Sequence, residues 1–332
     1  MVFDSGERIM AEMLRIMAIQ QSLTAQAMST LPEGSSTNSI ATVGSHQSTI
    51  GGNIDAFLVK FNSSGVRQWG TYYGGNVADY GNSVAIDGTS NVYLAGLTSS
   101  NNAIATVGSH QSTIGGNVDA FLVKLDSSGI RQWGTYYGGG SSDLGYSVAT
   151  NSSGYVYLVG NTESTNAIAT AGSHQSTYGS GFGDAFLVKF NSSGVRQWGT
   201  YYGGGDSEGG NSAATDDSGN VFLAGGTSSD NAIATAGSHQ STSGGWYDAF
   251  LVKFNSNGVR QWGTYYGGSN SDYGYSVATD GSNYVYLTGK TNSSDSIATE
   301  GAHQSIPGGY VDAFLVKFNS SGVREWGSYY GG

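Results

Sequence analysis

Four acidic residues recur in one setting: Asp79, Asp143, Glu208 and Asp272. Each stands ten residues after a Trp, follows a Gly-Gly, and is itself followed by one residue and then Gly. A carboxylate beside glycine-freed backbone carbonyls could hold Ca²⁺, fix its own loop by accepting N–H bonds, or touch a polar ligand. The spacing is not that of an EF-hand loop and only this acid recurs in the connection. No cofactor is therefore expected, and Ca²⁺ is the one ion the pattern admits. A second set is aromatic: Phe182, Trp246, Tyr247 and Tyr310. Placed on a surface, these are apolar platforms for sugar rings or a partner; turned inward, they cover neighbouring loops. We take Asp79, Asp143, Phe182, Glu208, Trp246, Tyr247, Asp272 and Tyr310 as the candidate ligand-binding set.

Catalytic readings find less support. His46, His110, His174 and His239 occur in Gly-Ser-His-Gln-Ser, and His303 in Gly-Ala-His-Gln-Ser. A Ser next to a His in extended chain points away from it, and no acid keeps a matching place beside them, so no triad forms. The expectation is a loop anchor whose imidazole bonds to backbone. A glycan hydrolase needs two carboxylates flanking one bond. The local enrichments, Asp206 with Glu208 and Asp216 with Asp217, fall in loops expected on opposite faces. No phosphate-binding glycine loop, HExxH or GxSxG element occurs. The expectation is a protein that binds and does not catalyse.

These residues recur because the chain does. Asp-Ala-Phe-Leu-Val-Lys begins at Asp55, Asp119, Asp184, Asp248 and Asp312, spaced 64, 65, 64 and 64 residues apart. A period this long marks an array of supersecondary units. One unit offers four strand-like segments, a to d: Asn82–Ile86, Asn91–Ala95, Ala120–Lys124 and Arg131–Tyr137. The a–b turn (Asp87-Gly88-Thr89-Ser90) and the c–d turn (Asp126-Ser127-Ser128-Gly129) carry hairpin chemistry. Segment c is apolar on both alternating faces, which suits a strand buried between stacked sheets. Four antiparallel strands per unit, arranged radially, describe an all-β array of β-propeller blades, four full and one half. The half blade, residues 40–75, finds no partner pattern in residues 1–39, and a five-position ring is expected. Antiparallel order places the a–b and c–d turns on one face and the b–c and d–a connections on the other. The units differ most on the second face, and loops on a rigid scaffold are where binding resides. Asp119, Lys124 and Arg131 recur in every unit and are expected as edge pairs or hairpin caps. The Trp133 and Tyr137 class is expected to pack blade against blade.

Residues 1–31 differ from the rest. All five Met fall there, and Asp4 followed by Glu7 reads as a capping pair. Ile9, Met13, Ile16 and Leu23, with Ala27 beyond, make one apolar stripe, and Met10, Leu14, Met17, Met28 and Leu31 a second. A face this wide needs a partner, so residues 1–31 read as an assembly helix and residues 32–39 as a linker to the array at 40–332. The chain has 24 Asp and Glu against 13 Lys and Arg, a net charge of −11, which argues against nucleic acid and anionic membranes. No run approaches a membrane span, and the first residues do not form a signal peptide. There is no Cys, hence no disulfide or thiolate metal site.

The unit from Ser218 to Gly268, SGNVFLAGGTSSDNAIATAGSHQSTSGGWYDAFLVKFNSNGVRQWGTYYGG, resembles the SBBP β-propeller repeats of bacterial proteins. That resemblance spans residues 40–332 and implies a surface or secreted protein built on a larger ring than these units fill. The opening Phe3-Asp4-Ser5-Gly6-Glu7-Arg8-Ile9-Met10-Ala11-Glu12-Met13-Leu14 is similar to the start of phage tail-fibre and baseplate proteins. It implies a virion receptor-binding subunit, homotrimeric and extracellular, attached to a larger particle by its N-terminal helix. The functional expectation is recognition of a cell-surface glycan or receptor through the variable loop face. The alternative is a bacterial surface or secreted adhesin or structural repeat protein.

Overall fold

The computed structural model describes residues 26–28 and 40–332. Nineteen strands among these residues form five antiparallel sheets, each a meander in chain order. The first sheet joins β1 (Gln26–Met28), β2 (Ala56–Phe61) and β3 (Arg67–Tyr73). The second joins β4 (Asp79–Ile86), β5 (Val92–Thr98), β6 (Asp119–Leu125) and β7 (Arg131–Tyr137). The third contains β8 (Asp143–Thr150), β9 (Val156–Thr162), β10 (Asp184–Phe190) and β11 (Arg196–Tyr202). The fourth contains β12 (Glu208–Thr215), β13 (Val221–Thr227), β14 (Asp248–Phe254) and β15 (Arg260–Tyr266). The fifth contains β16 (Asp272–Thr279), β17 (Val285–Thr291), β18 (Asp312–Phe318) and β19 (Arg324–Tyr330). This is the all-β propeller array that the repeat predicts.

The a strands lie innermost, because they bond to one another from blade to blade. The Ser83 hydroxyl accepts from Val148 N–H, Ser147 from Ala213 and Ser212 from Val277. Thr150, Thr215 and Thr279 each donate to a carbonyl of the preceding a strand. A bulge after Gly81, Gly145, Gly210 or Gly274 bends each inner strand. Strand c is buried on both faces in β10 and β14, as its apolar pattern requires.

The outer strands carry the seam between blades. Tyr73, Tyr137, Tyr202 and Tyr266 each donate a hydroxyl, at 2.6–2.7 Å, to the carbonyl of an Ile in the next blade. Trp69, Trp133, Trp198 and Trp262 each donate an indole N–H to a c–d turn carbonyl of the next blade. The Trp and Tyr class thus packs blade to blade, as expected. Lys124 and Arg131 do not form edge pairs: Lys124 donates to Ser192 O in the next blade and Arg131 to Ala103 O.

Three expectations need correction. Residues 26–28 form a strand, not the last turn of a helix. They pair Gln26 with Val59, Ala27 with Leu58 and Met28 with Phe57, at the position a b strand holds in the full blades. The half blade is therefore three-stranded, because backbone pairing with β2 needs no alternating side-chain pattern. The stripe residues Ile9, Met13, Ile16 and Leu23 lie outside the described residues. Among the described residues the expected five-position ring does not close. In the fifth sheet Leu315 is 40%, Trp326 37% and Tyr330 71% exposed, whereas Leu251, Trp262 and Tyr266 are buried by the blade that follows them. No described helix is long and apolar enough to cross a membrane.

Candidate binding site on the loop face

The b–c and d–a connections do share one face. Asn76 N–H donates to Asn102 Oδ1 and Val77 N–H to Ser100 Oγ, and Ile54 bridges Ala78. The recurring acids sit at the base of this face, each as the first residue of its a strand and turned inward. Asp79 is fully buried and accepts from Gly75 N–H, Ser100 Oγ and the Thr98 hydroxyl. Asp143 and Asp272 repeat the arrangement with Gly139 and Ser164, and with Gly268 and Ser293. Glu208 accepts from Gly204 N–H and Thr227 Oγ1. Their role is to tie loops, which withdraws Asp79, Asp143 and Asp272 from direct contact with a ligand. The reason is local: Gly-Gly frees two N–H groups, the second of which the carboxylate satisfies while a Gln side-chain carbonyl takes the first.

A second carboxylate faces each of these acids; sequence reasoning expected it as an edge pair or hairpin cap, whereas Asp119 accepts from Gly115 N–H, Gly116 N–H and the Gln111 amide. Asp55, Asp119, Asp184 and Asp248, the first residues of the DAFLVK blocks, crowd the same space as the d–a acid, where a Cβ added to Gly74, Gly138, Gly203 or Gly267 would stand within 2.9 Å of both. The separation is 24 residues in all four cases, and that constancy was the available signal. Burial pushes Asp143 and Asp248 up to about 6 and Asp184 to about 7; in Asp184 the neighbouring Glu208 adds to the effect. Gln111 completes the knot: its amide donates to Asp119 and to Thr113 O, and its carbonyl accepts from Gly138 N–H. Thus Gln47, Gln111, Gln175, Gln240 and Gln304 are the loop anchors, not the histidines beside them. The histidine rings lie against Tyr and Phe at the seams, as His110 does on Tyr137 and Phe190. Burial and the Arg of the following blade lower His46, His110, His174 and His239 to about 4. Among the described residues no three His, Asp or Glu gather as metal ligands.

The aromatic candidates are at the surface. Phe182 is 92%, Trp246 86% and Tyr310 87% exposed. All three stand two residues before a DAFLVK block, where the first two units have Asn53 and Asn117. They form a row of apolar platforms over three successive blades. Tyr247 lies lower, stacked on Tyr273 at 4.6 Å and seated over Gly226. A Cβ at Gly226 would meet its ring at 2.2 Å; the sister units have Leu97, Asn161 and Lys290 there.

One depression of about 180 Å³ gathers Phe182, Glu208 and Tyr247 at the seam of the third and fourth blades. It exists because two side chains are missing. Gly209 occupies the place of Tyr80, Leu144 and Tyr273, and Gly183 that of Ile54, Val118, Tyr247 and Val311. Leu144 and Asn161 form the opposite wall. The volume is below the ~300 Å³ at which pockets begin to enclose drug-sized ligands, so it suits a single protruding polar group.

No curated protein sequence matches the chain. A solved structure described as a gluconolactonase from Xanthomonas campestris, important in glucose secondary metabolic pathways, aligns with 83% of this chain and 71% of its own. Identity is 8% and the TM-score 0.39, a likeness too loose to speak to chemistry. The family model that matches is SBBP, a beta-propeller repeat, over residues 68–102 and 261–295. Each match runs from strand d through the Gly-Gly and recurring acid to the end of strand b, so the loop-tying carboxylate lies within two segments homologous to the SBBP β-propeller repeat.

Proposed function

We propose that this chain is a non-enzymatic binding protein that recognises a cell-surface glycan on its b–c and d–a loop face. The row of Phe182, Trp246 and Tyr310 carries this reading: three exposed rings on successive blades, beside a small polar-floored depression. Aromatic faces suit the apolar faces of sugar rings, and an extended oligosaccharide meets several platforms whose weak contacts add by multivalency. The buried acids support the absence of catalysis, because Asp184 is fully buried and Glu208 already accepts from two donors. Asp206 and Asp216, from the two acidic enrichments read in the sequence, sit in a loop and a turn on opposite faces, too far apart in the topology to flank one bond; Glu163 lines the depression as an exposed carboxylate. On this reading the N-terminal segment attaches the protein, as a trimer, to a larger particle such as a virion. Removing residues 1–25, which spares β1, should abolish attachment to that particle.

A glycan array probed with the labelled chain, followed by titration of the hits, tests the binding reading. Trp246→Ala should weaken binding by about tenfold. Gly209→Tyr installs the residue that two sister units carry at the same place and fills the depression, with the Asn161 amide, 3.2 Å from the added Cβ, having to shift. It should weaken the same ligands about as much. Unchanged affinity in both variants, or no glycan bound at all, would overturn this reading.

A further inference from the structure

Among the described residues, the two uncovered faces of the array match the outer parts of the two sides of its own blade seam. At each internal seam a Trp from one blade lies over a glycine of the next. Trp69 lies over Gly129, Trp133 over Gly194, Trp198 over Gly258 and Trp262 over Gly322; an added Cβ would stand 2.7–2.9 Å from the ring. Gly65 is the same glycine in the first sheet, with the same positive φ, and among the described residues nothing stands within 4 Å of its Cβ position. The Tyr socket repeats the observation. Gly134, Gly199, Gly263 and Gly327 each have a Tyr hydroxyl from the preceding blade at 2.4–2.6 Å of their Cβ positions, and Gly70 has none among its three nearest atoms. Phe57 and Phe61 are half-buried there, while Phe121, Phe186, Phe190, Phe250 and Phe254 are buried. The first sheet thus presents an unfilled receiving face. The fifth presents the matching inserting face: Leu315, Trp326 and Tyr330 exposed, and His303 stacked on Tyr330 at 6.3 Å.

We propose that the fifth sheet of one copy of this chain docks on the first sheet of a second copy, re-forming the internal seam between molecules. The repeat fixes the contacts. Tyr330 Oη donates to Ile40 O of the second copy, as Tyr266 does to Ile297 O within the chain. Trp326 Nε1 and Lys317 Nζ donate to Ser63 O of the second copy, as Trp262 and Lys253 do to Ser320 O. His303 lies against Phe61 of the second copy, as His239 lies against Phe318 at 5.8 Å. A second copy is favoured over an unrelated partner because its first sheet already carries the outer half of the complement, the Trp and Tyr sockets, in a geometry the chain uses four times; the a strand that covers the inner half of the later seams has no counterpart there. The contact is heterologous, so successive copies extend or close into a ring by rotation. It involves none of residues 1–39 and is separate from any N-terminal attachment.

Sedimentation velocity of the full chain over a micromolar concentration series tests this. Self-association is expected in the unaltered chain. The double variant Trp326→Ala, Tyr330→Ala removes exposed anchors and should weaken association by about 30-fold or more, with an unchanged melting temperature. Gly65→Asn fills the empty Trp socket with a residue that tolerates positive φ, and should also yield monomers. Mixing the two variants is the decisive step, since each keeps one intact face. A heterodimer that grows no further is the expected product. A strictly monomeric unaltered chain, association that survives in the double variant, or a mixture that stays monomeric would each overturn the proposal.

Discussion

Tyr202→Ala will destabilise the fold by about 3–5 kcal/mol, while Tyr330→Ala, the same position in the last unit, will cost a monomer less than about 0.5 kcal/mol. Tyr202 is fully buried. Its ring lies 5.2 Å from Phe250 and 5.9 Å from Phe254 of the next blade, and its hydroxyl donates to Ile233 O at 2.6 Å. Truncation opens a cavity at a seam that cannot close without moving a whole blade, and leaves a buried carbonyl with one donor fewer. Tyr202→Phe separates the parts: it keeps the packing and loses the hydroxyl, for about 1 kcal/mol. Tyr330 is 71% exposed, so its removal takes little from a single molecule. Urea unfolding of the variants at dilute, monomeric concentration reads all three effects. Equal losses at Tyr202 and Tyr330 would mean that the fifth sheet is covered by its own chain.

That contrast shows what could and could not be read without coordinates. The period located the strands, and the identity of Tyr73, Tyr137, Tyr202, Tyr266 and Tyr330 marked them as seam residues. It could not distinguish Tyr330 from its copies, because burial at a seam depends on whether a following blade is present. The d–a acids were found as residues but placed in a loop. In fact each begins a strand, and its oxygens are taken up by the second Gly N–H and by Ser or Thr hydroxyls before a ligand could reach it. The partner carboxylates were read as edge pairs or hairpin caps because Asp55, Asp119, Asp184 and Asp248 stand inside a block so constant that it read as scaffold alone. Phe182, Trp246 and Tyr310 were recognised singly; their shared column became meaningful once the strands put them on one face. Residues 26–28 were misassigned because apolar spacing over two stripes favours a helix, and their pairing with β2 is a non-local backbone contact that spacing does not encode.

Asp184→Asn should stabilise the protein in a pH-dependent way. Asp184 is fully buried, accepts from Gly179 N–H and the Gln175 amide on one oxygen, and has no hydrogen-bond partner on the other. Burial, with Glu208 close by, raises its pKa from 3.8 to about 7. A raised carboxyl pKa means that the folded state holds the proton more tightly than the unfolded chain. Its stabilising contribution is therefore complete below pH 3.8, declines as the unfolded chain ionises, and is lost once pH passes 7. The displacement corresponds to about 4 kcal/mol as an upper bound. Asn mimics the protonated form at every pH. Its oxygen keeps the Gly179 and Gln175 bonds, and its amide is directed to the side that faces Glu208. The gain over the unaltered chain should be near zero at pH 3.5, grow through pH 5, and level off above pH 7 at about 1–3 kcal/mol, after allowance for imperfect replacement of the carboxyl. The seam histidines run the other way. Lowered to about 4, they contribute stability that is present above pH 6.5 and lost as pH falls through 4. The unaltered chain should therefore have a muted pH profile, in which two opposed sets of groups offset each other. The difference between variant and parent isolates the carboxyl. An Asn variant less stable than the parent at pH 8 would show that Asp184 is ionised in the fold and that its donors require the charge.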